Sequence, residues 1–179
     1  MNKLDISAIN TNSPYSIWNE GDYYYFRSRY GVMYKVGFME DFTIWEENAY
    51  QFLILNEENV PSPNDANIKT TVFCIIEGFF IKNPSILLYL CETGDGKQAS
   101  RNRLFIRWFK EYSNKHLYYF NTIELEADGI KNYAAIIVQK SNPKLTEIMG
   151  QWKFSGDKHK SLQVDTERTF HQRYPLVML

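Results

Sequence analysis

Short apolar segments separated by polar turns fill the first third of the chain, a pattern typical of β-structure. The Gly31 that lies between the second and third segments favours a β-hairpin there. A stretch with two prolines, 56–65, then predicts a loop. The expected strands are Tyr15–Trp18, Asp22–Arg27, Val32–Phe38 and Ala49–Leu55.

Two segments in the middle of the chain have apolar residues at helical spacing. Asp65 is placed to cap a helix that runs to about Ile81, with one apolar face to pack on the sheet. The second helix is expected from Gln98 to Tyr112. Between them, Ile86–Cys91 is almost continuously apolar, as in a central strand covered on both faces. The first helix presents Ile68, Val72, Ile75, Ile76 and Phe79, and the second presents Leu104, Phe105, Trp108, Phe109 and Tyr112.

The last third predicts another hairpin and a short helix. His116–Glu126 and Asn132–Gln139 flank an Asp-Gly turn, and Pro143–Gly150 is expected to be helical with Ser141 or Asn142 as its cap. The order of elements predicts an α+β fold, in which about six strands form an antiparallel or mixed sheet with two main helices packed on it. We expect a single domain over residues 1–151. Residues 152–179 are expected to form a polar extension whose apolar end docks on the body or on a partner.

Composition and charge narrow the classes of partner. The chain is 16% aromatic, which favours sheet, and its net charge is −1, so no overall field attracts nucleic acid. The charge is nevertheless segregated: Glu40–Asp65 holds seven acidic residues and no Lys or Arg, whereas Lys97–Lys115 holds six basic residues and one acidic residue. Two solvated faces and a basic patch for an anionic partner are both compatible with this pattern. Without a known nucleic-acid reading motif, we expect nucleic acid to be an unlikely partner.

The cysteines and the apolar segments indicate a compartment. Cys74 and Cys91 form no CxxC pair, which favours reduced, buried thiols. The amino-terminal segment lacks the apolar stretch of a signal peptide, and Val72–Ile81 is too short to span a bilayer. We therefore expect a cytoplasmic protein with no membrane partner.

The polar turn between the central strand and the second helix is the candidate site. Helical spacing places Arg101 inside the apolar stripe, where an unpaired charge would cost several kcal/mol, so we expect it to bind Glu92 or Asp95. The free N–H groups at the start of that helix, together with Lys97 and Gln98, would also hold an anion. A turn that merely caps the helix and neutralises Arg101 remains the alternative.

Sequence motifs assign no chemistry to this turn. It does not match a P-loop, and Asp95-Gly96-Lys97 matches only a three-residue fragment of a restriction-type nuclease signature. The three histidines have no metal-ligand spacing. We therefore assign no catalytic residue, no metal site and no cofactor.

Several strings along the chain resemble a small family of uncharacterised bacterial proteins. In the centre, the resemblance is carried by Leu88–Cys91, Asp95–Gln98, Arg101, Arg103–Phe105 and Trp108–Phe109. Tyr23–Phe26 and Tyr34–Phe38 are similar too, so the resemblance covers most of Asp22–Gln151 and ends before the carboxyl-terminal stretch. It implies a compact intracellular bacterial domain and transfers no catalytic residue.

Two functions follow from this pattern as hypotheses. The first is a non-enzymatic domain that binds a macromolecule, either a protein partner or a second copy of itself. The alternative is a phosphate-ester hydrolase or anion-binding protein that uses the turn and helix from Glu92 to Arg101, that is, Glu92, Asp95, Lys97, Gln98 and Arg101.

Overall fold

A computed structural model describes residues 1–42, 44–45, 48–91, 96–127 and 130–161; of 125–127 and 156–161 only the backbone is described. These residues form one seven-stranded mixed sheet and four α-helices, which confirms the α+β prediction. The elements in chain order are α1 (Ile6–Asn10), β1 (Ile17–Glu20), β2 (Tyr23–Arg27), β3 (Met33–Glu40), β4 (Ala49–Asn56), α2 (Ala66–Lys82), β5 (Ile86–Leu90), α3 (Gln98–Glu111), a 3-10 turn (Lys115–Leu117), β6 (Tyr118–Ala127), β7 (Ile130–Gln139) and α4 (Leu145–Ser161).

The strands lie in the order β1-β2-β3-β4-β5-β7-β6. The pairs β1–β2, β2–β3, β3–β4, β5–β7 and β6–β7 are antiparallel, and β4 and β5 are parallel. A parallel pair needs a crossover, and α2 supplies it between the ends of β4 and β5.

The helix α2 begins where the sequence indicates. The Asp65 carboxylate accepts a hydrogen bond from the Asn67 N–H at 3.0 Å, as an N-cap does. Val72, Ile76 and Phe79 are buried and Thr70 is exposed, so the predicted orientation of the helix is confirmed.

One flank of α2 is covered as well as its sheet-facing side, which a one-faced helix does not predict. The short helix α1 lies there, and a Cβ atom built on Gly78 would lie 2.5 Å from Ile9 Cδ1. The absent side chain at Gly78 therefore allows the two helices to approach closely. As a result α2 is buried both against the sheet and along the flank that faces α1.

Helix α4 differs from the short helix expected over Pro143–Gly150. It runs from Leu145 to Ser161, through Gly150 and through the expected domain boundary at residue 151. Glycine inside a helix costs about 1 kcal/mol relative to alanine, whereas burying a large apolar side chain contributes more than that. The buried side chain is that of Trp152, which is 1% exposed.

Trp152 anchors α4 to the sheet. Its indole N–H donates a hydrogen bond to Asn121 Oδ1 at 2.8 Å, and its ring stacks with Trp45 at a centroid distance of 6.3 Å. Because Trp152 lies in the core, the body of the fold includes this part of the region that we expected to be an extension. The apolar end of that extension, Tyr174–Leu179, lies outside the described residues.

The sheet separates two apolar cores. The larger core lies on the face that α1, α2 and α3 cover, and contains Tyr24, Phe26 and Phe52 from the strands. The smaller core lies on the opposite face under α4, and includes Leu88, Ile136 and Trp152. Within the described ranges, no helix has the length and apolar character that crossing a bilayer requires.

Candidate functional site

The members of the predicted site that the structure describes differ in their exposure and contacts. Lys97 is exposed at the start of α3. The side-chain amide of Gln98 turns to β7 and donates a hydrogen bond to the Lys131 carbonyl at 3.2 Å. Arg101 is 4% exposed, as its position in the apolar stripe predicts. These three side chains therefore face solvent, the neighbouring strand and the interior respectively.

The acidic members of that site, Glu92 and Asp95, lie outside the described residues. The pairing of Arg101 with one of them therefore stays a prediction. In the part of the chain that the structure describes, no group of three or more His, Cys, Asp or Glu side chains is placed to hold a metal ion.

The two thiols are poor nucleophiles at neutral pH. Burial raises the pKa of Cys91 to about 11. Burial, together with the nearby Glu77 carboxylate, raises the pKa of Cys74 to about 11 as well. The thiolate is the reactive form of cysteine, so these environments suit packing rather than covalent catalysis.

A different surface of the sheet concentrates aromatic side chains that keep part of their area exposed. Trp18 in β1, Tyr25 in β2 and Lys35 in β3 are cross-strand neighbours in one row, and Tyr23 lies beside them in β2. We call these four residues the aromatic face. They lie on the side of the sheet opposite the larger core, because strand residues alternate between the two sides.

The side chains of the aromatic face contact one another. The rings of Trp18 and Tyr25 are stacked, with centroids 6.0 Å apart and an interplanar angle of 20°. Lys35 Nζ lies 4.1 Å from the centroid of the Tyr23 ring and 5.9 Å from that of Tyr25. A cation at these distances is attracted by the electrons of both rings. The four side chains thus form one continuous layer on the strands.

Within that layer, the Tyr23 ring packs directly on the backbone of Gly37. A Cβ atom at residue 37 would lie 2.7 Å from Cδ1 of Tyr23 and 3.2 Å from Cδ1 of Leu53. The Tyr23 ring therefore lies on bare backbone and reaches across β3 toward β4. This is the close approach that glycine in a strand commonly permits.

Acidic side chains border the aromatic face. Lys35 Nζ lies 3.4 Å from Glu57 Oε1, and, although burial acts in the opposite direction, this contact raises the pKa of Lys35. The Trp18 indole N–H donates to Glu20 Oε1 at 3.1 Å. Glu58 lies nearby, paired with Arg27 at 3.3 Å. The one lysine of the face is thus offset by carboxylates, and the local field does not favour an anionic partner.

The side chains of α4 that the structure describes, up to residue 155, pack on the other half of the sheet. The smaller core beneath α4 is built from β4, β5, β6 and β7 together with the loop residues Ile44 and Trp45. It includes no residue of β1, β2 or β3 among the residues described. The half of the sheet that carries the aromatic face is therefore open on this side with respect to the described helices.

A cleft of about 420 Å³ opens at the end of the strands, next to Tyr23. Its charged groups include Lys3, Asp22 and Glu40, so both signs of charge are represented. Burial and the nearby Glu40 raise the pKa of Tyr50 at its inner wall. The cleft extends the aromatic face at its Tyr23 end but has no group of catalytic side chains that the geometry singles out.

Sequence reasoning did not find the aromatic face, because the run Tyr23-Tyr24-Tyr25-Phe26 has no alternation of polar and apolar residues. The available signal was Lys35, which stands between Tyr34 and Val36 and marks the outward side of β3. Strand pairing then places Tyr25 opposite Lys35 on that side.

Within the described residues, the fold and its surface define an α+β domain whose mixed sheet carries a partly exposed aromatic face. Residues 64–154 match the model of a family of unknown function, DUF6169, and the chain belongs to that family. The match spans α2 to the middle of α4, so the aromatic face lies in the part of the chain that precedes it. This confirms the expectation of an uncharacterised family. Neither the curated proteins nor the solved structures gave a match.

Proposed function

We propose that this chain is a non-enzymatic protein-binding domain, and that the aromatic face holds an extended segment of a partner protein. The observation that supports the proposal is the layer formed by Trp18, Tyr23, Tyr25 and Lys35 on the open half of the sheet. A contiguous apolar surface that remains partly exposed is typical of interaction sites.

Aromatic side chains suit this role energetically. Tyrosine and tryptophan are enriched among the residues that contribute most to protein interfaces, because they bury a large area and lose little rotational freedom. The stacking of Trp18 on Tyr25 and the support of Tyr23 by Gly37 hold the rings in place before binding. A partner therefore meets a surface that is already ordered, which reduces the entropy lost on association.

The charges around the aromatic face indicate the chemistry of the partner. Three carboxylates, those of Glu20, Glu57 and Glu58, border the rings, against two cations: Lys35, paired with Glu57, and Arg27, paired with Glu58. A segment with aliphatic or aromatic side chains and one or two Lys or Arg residues would complement this surface. Nucleic acid needs several cations against its phosphates, which this surface does not offer.

The turn from Glu92 to Arg101 supports the alternative, a phosphate-ester hydrolase or anion-binding protein, less well. Such a protein would use Arg101 and Gln98 as donors to its ligand. Arg101 is buried and the amide of Gln98 is engaged with the Lys131 carbonyl. We therefore propose the interaction role, in the cytoplasm, and no enzymatic one.

Selection of short random peptides displayed on phage, against the full chain, tests this proposal. The peptides recovered should combine apolar and basic residues, and fluorescence anisotropy should show about tenfold or greater weakening by Tyr25→Ala, as expected for a central aromatic contact. The matched control is Tyr30→Ala, since Tyr30 is 48% exposed in the turn between β2 and β3 and lies outside the aromatic face. It should bind like the unmodified protein.

Three results would overturn the proposal. Selected peptides that bind Tyr25→Ala and the unmodified chain equally would place the site elsewhere. A single-stranded oligonucleotide that displaces the peptides would indicate a nucleic-acid surface instead. A mass in sedimentation that rises with concentration, and that Tyr25→Ala reduces to the monomer mass, would make the occupant a second copy of this chain.

A further inference from the structure

We propose that the segment Arg168–Leu179 docks on the aromatic face of its own molecule. This inference rests on the proposed function, since it assigns an internal competitor to the surface that binds the partner. Three observations support it: the side of the sheet on which α4 lies, the length of chain that follows α4, and the chemistry of the segment.

The position of α4 brings the following chain to the correct side of the sheet. Ile148 and Trp152 hold the helix against β6 and β7 on the face opposite the larger core. The aromatic face lies on that same side, on β1, β2 and β3. The chain after Ser161 therefore does not need to pass around an edge of the sheet to reach Tyr25.

The chain after α4 is long enough. Residues 162–179 follow the helix, and an extended chain covers about 3.3 Å per residue, or about 60 Å in all. Neighbouring strands are about 4.8 Å apart, so β7 and β2 are separated by about 20 Å across the sheet. About six residues, 162–167, are sufficient to cover that distance, which leaves Arg168–Leu179 to lie on the face.

The segment has the chemistry that the aromatic face calls for. Arg168–Leu179 contains Arg168 and Arg173 and no acidic residue. It also contains Phe170 and Tyr174, and it ends in Leu176, Val177, Met178 and Leu179. The arginines complement the net negative charge of this border, where Glu20, Glu57 and Glu58 outnumber the cations Lys35 and Arg27. The apolar side chains complement the rings.

Docking of this segment would regulate the surface. A partner of the same chemistry binds only the fraction of molecules in which the face is open, so its apparent affinity falls in proportion to that fraction. Because a covalent tether makes the binding intramolecular, the effective concentration of the segment at the face is on the order of millimolar. Even weak contacts would therefore keep the face mostly occupied.

A photo-cross-linking amino acid placed at Leu176 of the full chain tests the docking. Benzoylphenylalanine at this position should form, on irradiation, a cross-link within the monomer to the peptides that carry β2 and β3, identified by mass spectrometry. Tyr25→Ala in the same chain should reduce the yield of that product about tenfold if the ring is a central contact. Benzoylphenylalanine at Lys153, which is exposed on α4, is the control and should not give this product.

The outcomes separate this inference from the proposed function. Cross-links that appear in dimers, or that join position 176 to another surface of the monomer, would overturn the docking while leaving peptide binding by the aromatic face intact. A monomeric cross-link to β2 and β3, combined with no peptide binding even after Leu176→Asp and Val177→Asp release the face, would support the docking and reject the partner. If the docking and the partner binding are both correct, Leu176→Asp combined with Val177→Asp should strengthen peptide binding.

Discussion

The Tyr23 ring lies on the backbone of Gly37, its cross-strand neighbour in β3, at a distance that leaves no room for a side chain there. This contact fixes the height of the ring above the sheet. It also determines where Lys35 Nζ meets the ring, 4.1 Å from its centroid.

Gly37→Ala should therefore displace the Tyr23 ring and disturb the aromatic face. The added Cβ would lie 2.7 Å from Tyr23 and 3.2 Å from Leu53, and overpacking of this kind typically costs about 1–3 kcal/mol. Denaturant unfolding should show that loss, and peptide binding should weaken with it. Unchanged stability together with unchanged binding would mean that the ring is not held by this contact.

A double-mutant cycle tests the contact between α1 and α2. Gly78→Ala should destabilise the protein by about 1–3 kcal/mol, because the new Cβ would lie 2.5 Å from Ile9 Cδ1. In an Ile9→Ala background the obstruction is absent, and the same substitution should stabilise by about 0.5–1 kcal/mol through helix propensity. Urea unfolding of the four proteins measures both values.

Gly150→Ala is the matched control for that cycle. Gly150 also lies inside a helix, but a Cβ there meets nothing within 4 Å, so this substitution should be stabilising in either background. An equal loss of stability from Gly78→Ala with and without Ile9 would contradict the close packing of α1 on α2.

Arg101 and Arg103 lie in the same helix with opposite exposure. Arg101→Met should cost about 3–5 kcal/mol, because removal of a buried charge leaves its partner groups without compensation. Arg103 is exposed and donates to Ser100 Oγ at 3.0 Å, so Arg103→Met should cost about 0–1 kcal/mol. Equal and small losses in urea unfolding would show that Arg101 has no paired acidic group.

The raised pKa values of the two thiols predict slow alkylation. With a pKa of about 11, Cys74 and Cys91 have little thiolate at pH 8, and the thiolate fraction should grow about tenfold per pH unit until the pKa is approached. Iodoacetamide labelling between pH 7 and 10, followed by mass spectrometry, measures this. The unfolded protein is the control, and its labelling should level off near pH 9 because its thiols have ordinary pKa values of about 8.5. A plateau near pH 9 in the folded protein would refute the prediction.

Regular periodicity made several elements predictable. The Asp65 cap and the apolar residues at helical spacing gave α2, and Gln98 begins α3 as expected. The Arg101 side chain is buried because its position in the sequence places it in the apolar stripe of α3. These features depend on local spacing, which is visible in a single sequence.

The features that escaped prediction depend on contacts distant in sequence. Helix α1 has five residues, too few to show a period, and its position is fixed by the absent side chain of Gly78. The sequence around Gly150 indicates the end of a helix, yet Trp152 two residues later is held by Asn121 and Trp45. The side of the sheet on which each tyrosine of β2 lies was set by pairing with Lys35 and Gly37 rather than by its own segment.

The parallel pairing of β4 with β5 joins two parts of the chain, one before and one after residue 64, and neither part has a complete sheet alone. The family match begins at residue 64, after β4, so the matched segment by itself would leave the edge of β5 without its neighbour and the inner side of α2 without Phe52. Nicking the chain in the exposed loop between β4 and α2 would yield two fragments, each incomplete and each carrying the edge that the other needs. Such fragments are suited to reconstitute a folded protein when mixed, and a relative that had only the matched segment would require a strand from another source in the place of β4.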